Sequence, residues 1–327
     1  MTPRESMPEM IQAIMSLAPN THFVILSQGV LFRGAGLDVV WPQFLALLAT
    51  GGGAADALRG GLGSAVGALA RRRAWRWLAA TVRDRRRPWR AVYADLAVDA
   101  YRIWVDAFAE AARATGATLA AGTGFFPTVA YEAARGWHVA DPRPTNLALL
   151  VGPGGRVVAR ASKVHLTAGL ESRVGLARGR VEDLPVVATP VGRVALAVCL
   201  DGWYHHVLER LDGAGAQILV QPSANDAAWE RPWPPDPTVR EGDAWLRRGL
   251  AAGLVGRQHL RYGVNPMLVG DLAPLAPRGR STVVARRAAD DEASGPPDGL
   301  PAGVLAIAPE ADAEAVVVAD VAHPDDA

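Results

Sequence analysis

The 327-residue chain has one cysteine, Cys199, and a single lysine, Lys163, among 34 Lys+Arg. One thiol excludes an internal disulfide framework and any multi-cysteine zinc or iron–sulfur site, and it fits a reducing compartment. Neither sign of charge is in excess: Lys+Arg 34 faces Asp+Glu 33, so no global field draws nucleic acid or an anionic membrane. No apolar run reaches the ~18 residues needed to span a bilayer. The opening MTPRESMPEM lacks the basic region and apolar stretch of a secretory signal. These absences predict a cytoplasmic protein with no membrane span. What is present is apolar content: 50% hydrophobic against 20% charged is far from a disordered composition and can bury one large core or two ordinary ones.

The near-total use of arginine makes the lone lysine informative. Arginine replaces lysine on a solvated face, but it cannot imitate a compact ammonium on a flexible stem that donates to a small oxyanion. Lys163 is therefore a candidate for chemistry.

From Tyr93 onward, helix and strand patterns alternate. Asp95 to Thr115 places Leu96, Ala100, Ile103, Trp104, Phe108 and Ala111 at helical spacing, and Gly116 stops the helix. Ala117 to Phe125 reads as a buried strand entering a Gly-rich turn. Asn146 to Val151 and Gly155 to Ser162 flank Pro153–Gly154 as a hairpin that runs into Lys163. Val186 to Thr189 and Gly192 to Val198 form a second pair ending at Cys199. A helix near Tyr204 to Asp212, a strand at Ala216 to Val220, and a long helix near Glu241 to Gln258 follow. Strands are then expected near Tyr262 to Val269, at Ser281 to Ala285, Gly303 to Ile307 and Ala315 to Val321, with an acidic loop at Ala289–Gly299. Interleaved strand pairs and helices predict a layered α/β domain.

The first ninety residues differ. Pro42 to Trp89 holds GGG, GGLG and an arginine- and tryptophan-dense stretch. Arginine with interleaved tryptophan can bind phosphate backbones or headgroups; the commoner reading is an amphipathic helix with Trp75, Trp77 and Leu78 inward and arginines snorkelling outward, packed on the main domain. The expected division is an atypical part at 1–92 and a main domain at 93–327. GGLG lacks the lysine and preceding strand of a phosphate loop. His205 and His206 are adjacent and make a poor metal site. No metal and no cofactor are expected.

Cys199 follows an apolar strand and precedes Leu200–Asp201–Gly202, where a sharp turn lifts a nucleophile out of a sheet beside backbone amides. A buried cysteine acting as a small hydrophobe has the same local pattern. Lys163 also terminates a strand, and Glu171 lies eight residues on. His165 reads as a packed or hydrogen-bonded histidine.

These segments resemble the nitrilase superfamily of carbon–nitrogen hydrolases. The lysine block is similar to K-x-H-L with a second glutamate about eight residues on, matched by Lys163, His165, Leu166 and Glu171. The cysteine block resembles the C-x-D-x-W-aromatic pattern of its amidase and carbamoyl-amidase branches, matched by Cys199, Asp201, Trp203 and Tyr204. Asn146, Ala148, Pro153 and Gly155 resemble the hairpin before the lysine; Gln221 to Asn225 and Arg278 to Thr282 resemble later blocks. The likeness covers roughly Tyr93 to Val321. It implies a four-layer αββα sandwich, a Glu–Lys–Cys triad and a homodimer.

The resemblance also implies a general-base glutamate, commonly in a Pro-Glu pair, ahead of the lysine. Pro8–Glu9 is the only such pair there, which makes Glu9 the candidate. The interval from Glu9 to Lys163 is longer than in the family, and His22 to Gln28 also reads as a first strand, which would leave no base in the expected place. The implied reaction is cysteine attack on an amide or carbamoyl carbon, a thioester, and hydrolysis by water. Glu171 would orient Lys163 or the substrate amine; Leu200, Trp203 and Tyr204 would border a small-molecule substrate. Cys-Leu-Asp at the nucleophile departs from the Cys-Trp-Glu of true nitrilases and favours amides over nitriles. Two alternatives use the same framework: an N-acyltransferase with the same triad, and an inactive relative serving as a binding or scaffold protein.

Overall fold

A 27-residue helix, α1 (Trp89–Thr115), opens the part of the chain that the computed structural model describes: residues 89–168, 170–173, 175–270, 276–287 and 301–324. Glu9, residues 42–88 and the acidic loop Ala289–Gly299 lie outside the described residues. The helix starts six residues before the sequence pattern places it and stops at Gly116, as expected. Its buried stripe is Ala97, Ala100, Tyr101, Ala109 and Ala112, and Ala111 is exposed. Alanines dominate the stripe because they let neighbouring backbone come close.

The chain divides into two compact units, Met1–Ala107 with Phe126–Pro144 and Phe108–Phe125 with Thr145–Ala327. In the described part of the first, Trp104 stacks on Phe126 with centroids 5.0 Å apart, and Tyr101 meets Phe126 edge-on at 5.6 Å.

Strand β1 (Leu119–Glu132) does not turn at Gly122 or Gly124. Neither glycine adopts a positive φ, so the extended backbone continues. Strand β2 (Gly136–Val151) and β3 (Val157–Ser162) form the expected hairpin, in register Leu147↔Ser162 and Leu149↔Arg160, and the sheet order is β1-β2-β3. Every residue from Leu147 to Val151 is buried, so both faces of β2 are covered. Ala148 and Leu150 face the main core, and the end of α1 lies against the hairpin turn: a Cβ on Gly155 would stand 2.7 Å from the Ala109 carbonyl.

The second sheet has six strands. They are β4 (Val186–Thr189), β5 (Gly192–Leu196), β6 (Ile218–Val220), β10 (Tyr262–Asn265), β12 (Thr282–Ala285) and β13 (Val304–Ile307), in order β13-β12-β10-β6-β5-β4. The central trio β5, β6 and β10 is parallel. Parallel neighbours need crossovers, supplied by α3 (His205–Gly213) and by α4 (Glu241–Arg247) with α5 (Leu250–Leu254). One hydrophobic core joins Ala148, Leu150, Ala159 and Ala161 of the hairpin to Val194–Val198 and Leu219, with Leu208, Leu211 and Leu254 of the helices on the far side. Helix, sheet, sheet and helix make the αββα sandwich. The carboxyl ends of β5 and β6 share one edge, where open α/β sheets place their chemistry.

Three expectations are corrected. The long helix at Glu241 to Gln258 is two short ones, because Gly249 breaks the helical path with ψ −135°, a position where a Cβ would meet the Trp245 carbonyl and the Trp203 ring. The strand near Tyr262 to Val269 breaks at Pro266 into β10 and β11 (Met267–Leu268), since proline has no N–H for the ladder. Ala315 to Val321 is not a strand; Val316 is 93% and Val318 74% exposed, and no described strand pairs with them.

Leu219 is fully buried at the centre of β6. Leu219→Ala is expected to destabilise the protein by about 2–5 kcal/mol, read as a lower urea midpoint with an unchanged m-value.

Candidate active site

Lys163 is the first residue beyond β3, and its N–H donates to the Asn146 carbonyl at 2.8 Å, continuing the hairpin ladder. Its side chain is 2% exposed. A buried ammonium is costly unless paired. Nζ lies 2.8 Å and 3.0 Å from the two carboxylate oxygens of Glu171 and 3.2 Å from the Thr167 hydroxyl. Glu171, in the short helix α2 (Leu170–Arg173), also accepts from Asn146 Nδ2 at 2.8 Å and the Thr167 amide at 2.7 Å. Each carboxylate oxygen thus carries two hydrogen bonds. Burial pushes the Glu171 carboxyl up, but the Lys163 charge, its hydrogen bond, the Thr167 amide and the Asn146 amide outweigh it and hold the group below its ordinary value.

Cys199 opens a 3-10 turn, Cys199–Trp203, three residues after β5 ends. It is the one non-glycine residue with positive φ, +52°, among the described residues. That conformation costs about 1–2 kcal/mol, so the surroundings must enforce it. Its N–H donates to the Pro222 carbonyl at 2.9 Å, its carbonyl accepts from Gln221 Nε2 at 2.9 Å, and the half-buried thiol donates to the Ala224 carbonyl at 3.6 Å.

Asp201 ties the two segments together. Fully buried and two residues after Cys199, it accepts from the amides of Val164 and His165, the residues directly after Lys163, at 2.9 Å and 2.7 Å. His165 Nδ1 adds a contact at 2.9 Å. The turn bearing the cysteine and the loop bearing the lysine are therefore held by one carboxylate.

The remaining expected residues separate. Leu200 is half-buried in the turn beside Cys199. Tyr204 is 38% exposed and stacks on the His165 ring with centroids 3.8 Å apart, so His165 is packed and hydrogen-bonded, as expected. Trp203 enters an aromatic group with Trp245, edge-on at 5.1 Å, and Trp233 at 6.1 Å, and its buried Nε1 has no hydrogen-bond partner. Glu9 lies outside the described residues. Among the described residues no group of three or more His, Cys, Asp or Glu side chains is placed to hold a metal ion.

Residues 91–240 match the family model described as carbon–nitrogen hydrolase. This segment is similar to carbon–nitrogen hydrolases. It contains Lys163, Glu171 and Cys199, and Glu9 falls before it. Among solved structures the chain is similar to the NitN amidase from Nesterenkonia sp. AN1, at 19% identity and TM-score 0.50, covering 72% of this chain and 74% of that one. A variant of that amidase carrying the acetamide moiety of fluoroacetamide on its active-site cysteine is similar at 19% identity and TM-score 0.50, covering 72% of both chains. At that identity the likeness is one of fold. A 51-residue stretch of the chain is 65% identical to the inner membrane transport permease YhhJ of Escherichia coli (strain K12), covering 16% of this chain and 14% of the permease. The chain thus spans about a seventh of that curated relative's length. No helix of the described residues is long and apolar enough to cross a membrane.

Sequence reasoning quoted Asn146 and Asp201 inside motifs and assigned them no role, and it missed Thr167. The available signal was charge: an acid two residues beyond Cys199, in a turn after an apolar strand, needs donors, and the amides of Val164 and His165 supply them.

Glu171 has a depressed carboxyl pKa, so its contribution to stability is present at neutral pH and disappears as pH falls through the folded-state value. Glu171→Gln is expected to cost about 3–5 kcal/mol at pH 7 by stranding the ammonium. The difference from wild type should shrink below the ordinary carboxylate range, as followed by urea unfolding at a series of pH values.

Proposed function

We propose that the chain hydrolyses a non-peptide carbon–nitrogen bond, an amide or a carbamoyl group, through a thioester on Cys199. The observation that carries the reading is the Asp201 bridge, which joins the turn of a half-buried, conformationally constrained cysteine to the loop of a buried, carboxylate-held ammonium.

In this reading the Cys199 thiolate attacks the carbonyl carbon and a tetrahedral oxyanion forms. The Lys163 ammonium and the backbone N–H of Leu200 receive that charge, each contributing ~3–4 kcal/mol in a preorganised site. Of the ammonium's contacts, the one to the Thr167 hydroxyl is the longest and neutral, and it is the one an oxyanion displaces. Glu171 keeps the ammonium in place. It has no spare oxygen for a substrate amine, so of its two expected roles only the orientation of Lys163 remains. The base is Glu9: it takes the thiol proton, passes it to the departing amine, and then takes one from the water that cleaves the thioester. Tyr204 and Trp203 border the substrate. The enzyme is read as a homodimer, from the family resemblance, and as cytoplasmic, because a nucleophilic thiol must stay reduced.

Incubation with small amides and N-carbamoyl amines is expected to release ammonia and to leave an acyl adduct on Cys199 detectable by mass spectrometry. Cys199→Ala should abolish both. Lys163→Arg should lower kcat by at least a hundredfold, because the planar guanidinium displaces the donor. Wild-type-like turnover in Lys163→Arg removes the lysine from the mechanism, and an adduct without ammonia release moves the reading to acyl transfer.

A further inference from the structure

Gln221 follows β6, is fully buried, and is anchored by its own N–H to the Val264 carbonyl of β10 at 2.8 Å. Its side-chain Nε2 donates to the Cys199 carbonyl at 2.9 Å, and among the described residues its Oε1 has no hydrogen-bond partner. An amide oxygen buried without a donor is costly. An apolar side chain of the same size would avoid that cost, so the position makes physical sense only through what the Nε2 donor does.

Room for Gln221 comes from Gly202. A Cβ there would overlap Oε1 and Cδ of Gln221, and Gly202 is outside the left-handed region, so its backbone conformation makes no demand for glycine. A missing side chain in the nucleophile turn and a buried amide on the next strand are thus matched to deliver one hydrogen bond.

That bond lands on a peptide unit with a second end. The carbonyl of Cys199 and the N–H of Leu200 belong to one planar trans peptide and point in opposite directions. Fixing the carbonyl toward Gln221 fixes the Leu200 N–H away from it. The Pro222 carbonyl holds the other side of Cys199, which stops the residue from leaving its positive φ and rotating the peptide.

We propose that Gln221 is a positioning residue that aims the Leu200 amide at the oxyanion by holding the Cys199–Leu200 peptide plane. The inference rests on the hydrolase reading above and deepens it. Because the oxyanion exists only in the transition state, Gln221 acts on kcat and leaves substrate binding alone. Alkylation of the thiol by iodoacetamide displaces iodide at a saturated carbon and creates no oxyanion, so it does not use the Leu200 amide.

The test uses the full chain and two variants. Gln221→Met keeps the volume and removes the donor. The double variant Gly202→Ala with Gln221→Ala refills the space from the other side and also lacks the donor, which covers the case in which methionine does not fold. For either folded variant, kcat for an amide that the wild type hydrolyses is expected to fall at least tenfold. KM and the rate of Cys199 alkylation by iodoacetamide should stay within twofold of wild type. An unchanged kcat overturns the proposal, and so does a kcat loss matched by an equal loss of alkylation rate, which would place the damage at the thiol. A wild type that turns over no amide overturns the hydrolase reading and this inference with it, whereas an active wild type with an equally active Gln221→Met overturns this inference alone.

Discussion

A buried carboxyl group needs hydrogen-bond donors, and Asp201 finds its donors on a different strand connection. It accepts from Val164 N, His165 N and His165 Nδ1. Hydrogen bonds to a buried anion are short, directional and roughly twice as strong as neutral ones. The loop after β3 and the turn after β5 are therefore held against each other, and Lys163 and Cys199 flank that joint. The rest of the candidate site depends on it: Glu171 places the ammonium relative to its own loop, the Gln221–Ala224 segment places the cysteine relative to the six-stranded sheet, and Asp201 is what relates one to the other.

The two halves of the site solve opposite physical problems. Around Lys163 the difficulty is charge: a desolvated ammonium is held by two oxygens of Glu171, whose remaining lone pairs are filled by Asn146 and Thr167. Around Cys199 the difficulty is conformation. A left-handed backbone at a residue with a Cβ is held by bonds to its N–H, its carbonyl and its thiol, all from the segment Gln221–Ala224 that follows the neighbouring parallel strand. Both arrangements keep their groups fixed before any substrate arrives, which is the condition under which donors are worth most to a developing charge.

Aromatic side chains border the turn on both sides. Tyr204 covers His165, and Trp203 joins Trp233 and Trp245, with Arg248 lying 5.3 Å over the Trp233 ring. The break between α4 and α5 belongs to the same arrangement. Gly249 leaves room for the Trp203 ring, so the helix ends where the nucleophile turn needs space.

Much of this was legible in the order of residues. The hairpin at Pro153–Gly154, the strand before Cys199, the helix after it and the strand before Gln221 all follow from local rules, because apolar alternation and turn residues act over a few positions. The lone lysine and lone cysteine stood out by their rarity, and the spacing of Glu171 and Lys163 agrees with their contact in the structure. Local rules failed where distant neighbours matter: Gly249, packed beside Trp203, interrupts a helical pattern, and Ala315 to Val321 has strand-forming valines with no strand among the described residues paired to them. By itself the sequence determined the element types and the singular side chains, since these depend on each residue and its immediate neighbours. Only the tertiary structure decided that Asp201 bridges two loops, that both oxygens of Glu171 carry two hydrogen bonds, and that Gln221 donates to the Cys199 carbonyl, because each of these is a contact between segments that meet only once the sheets have packed.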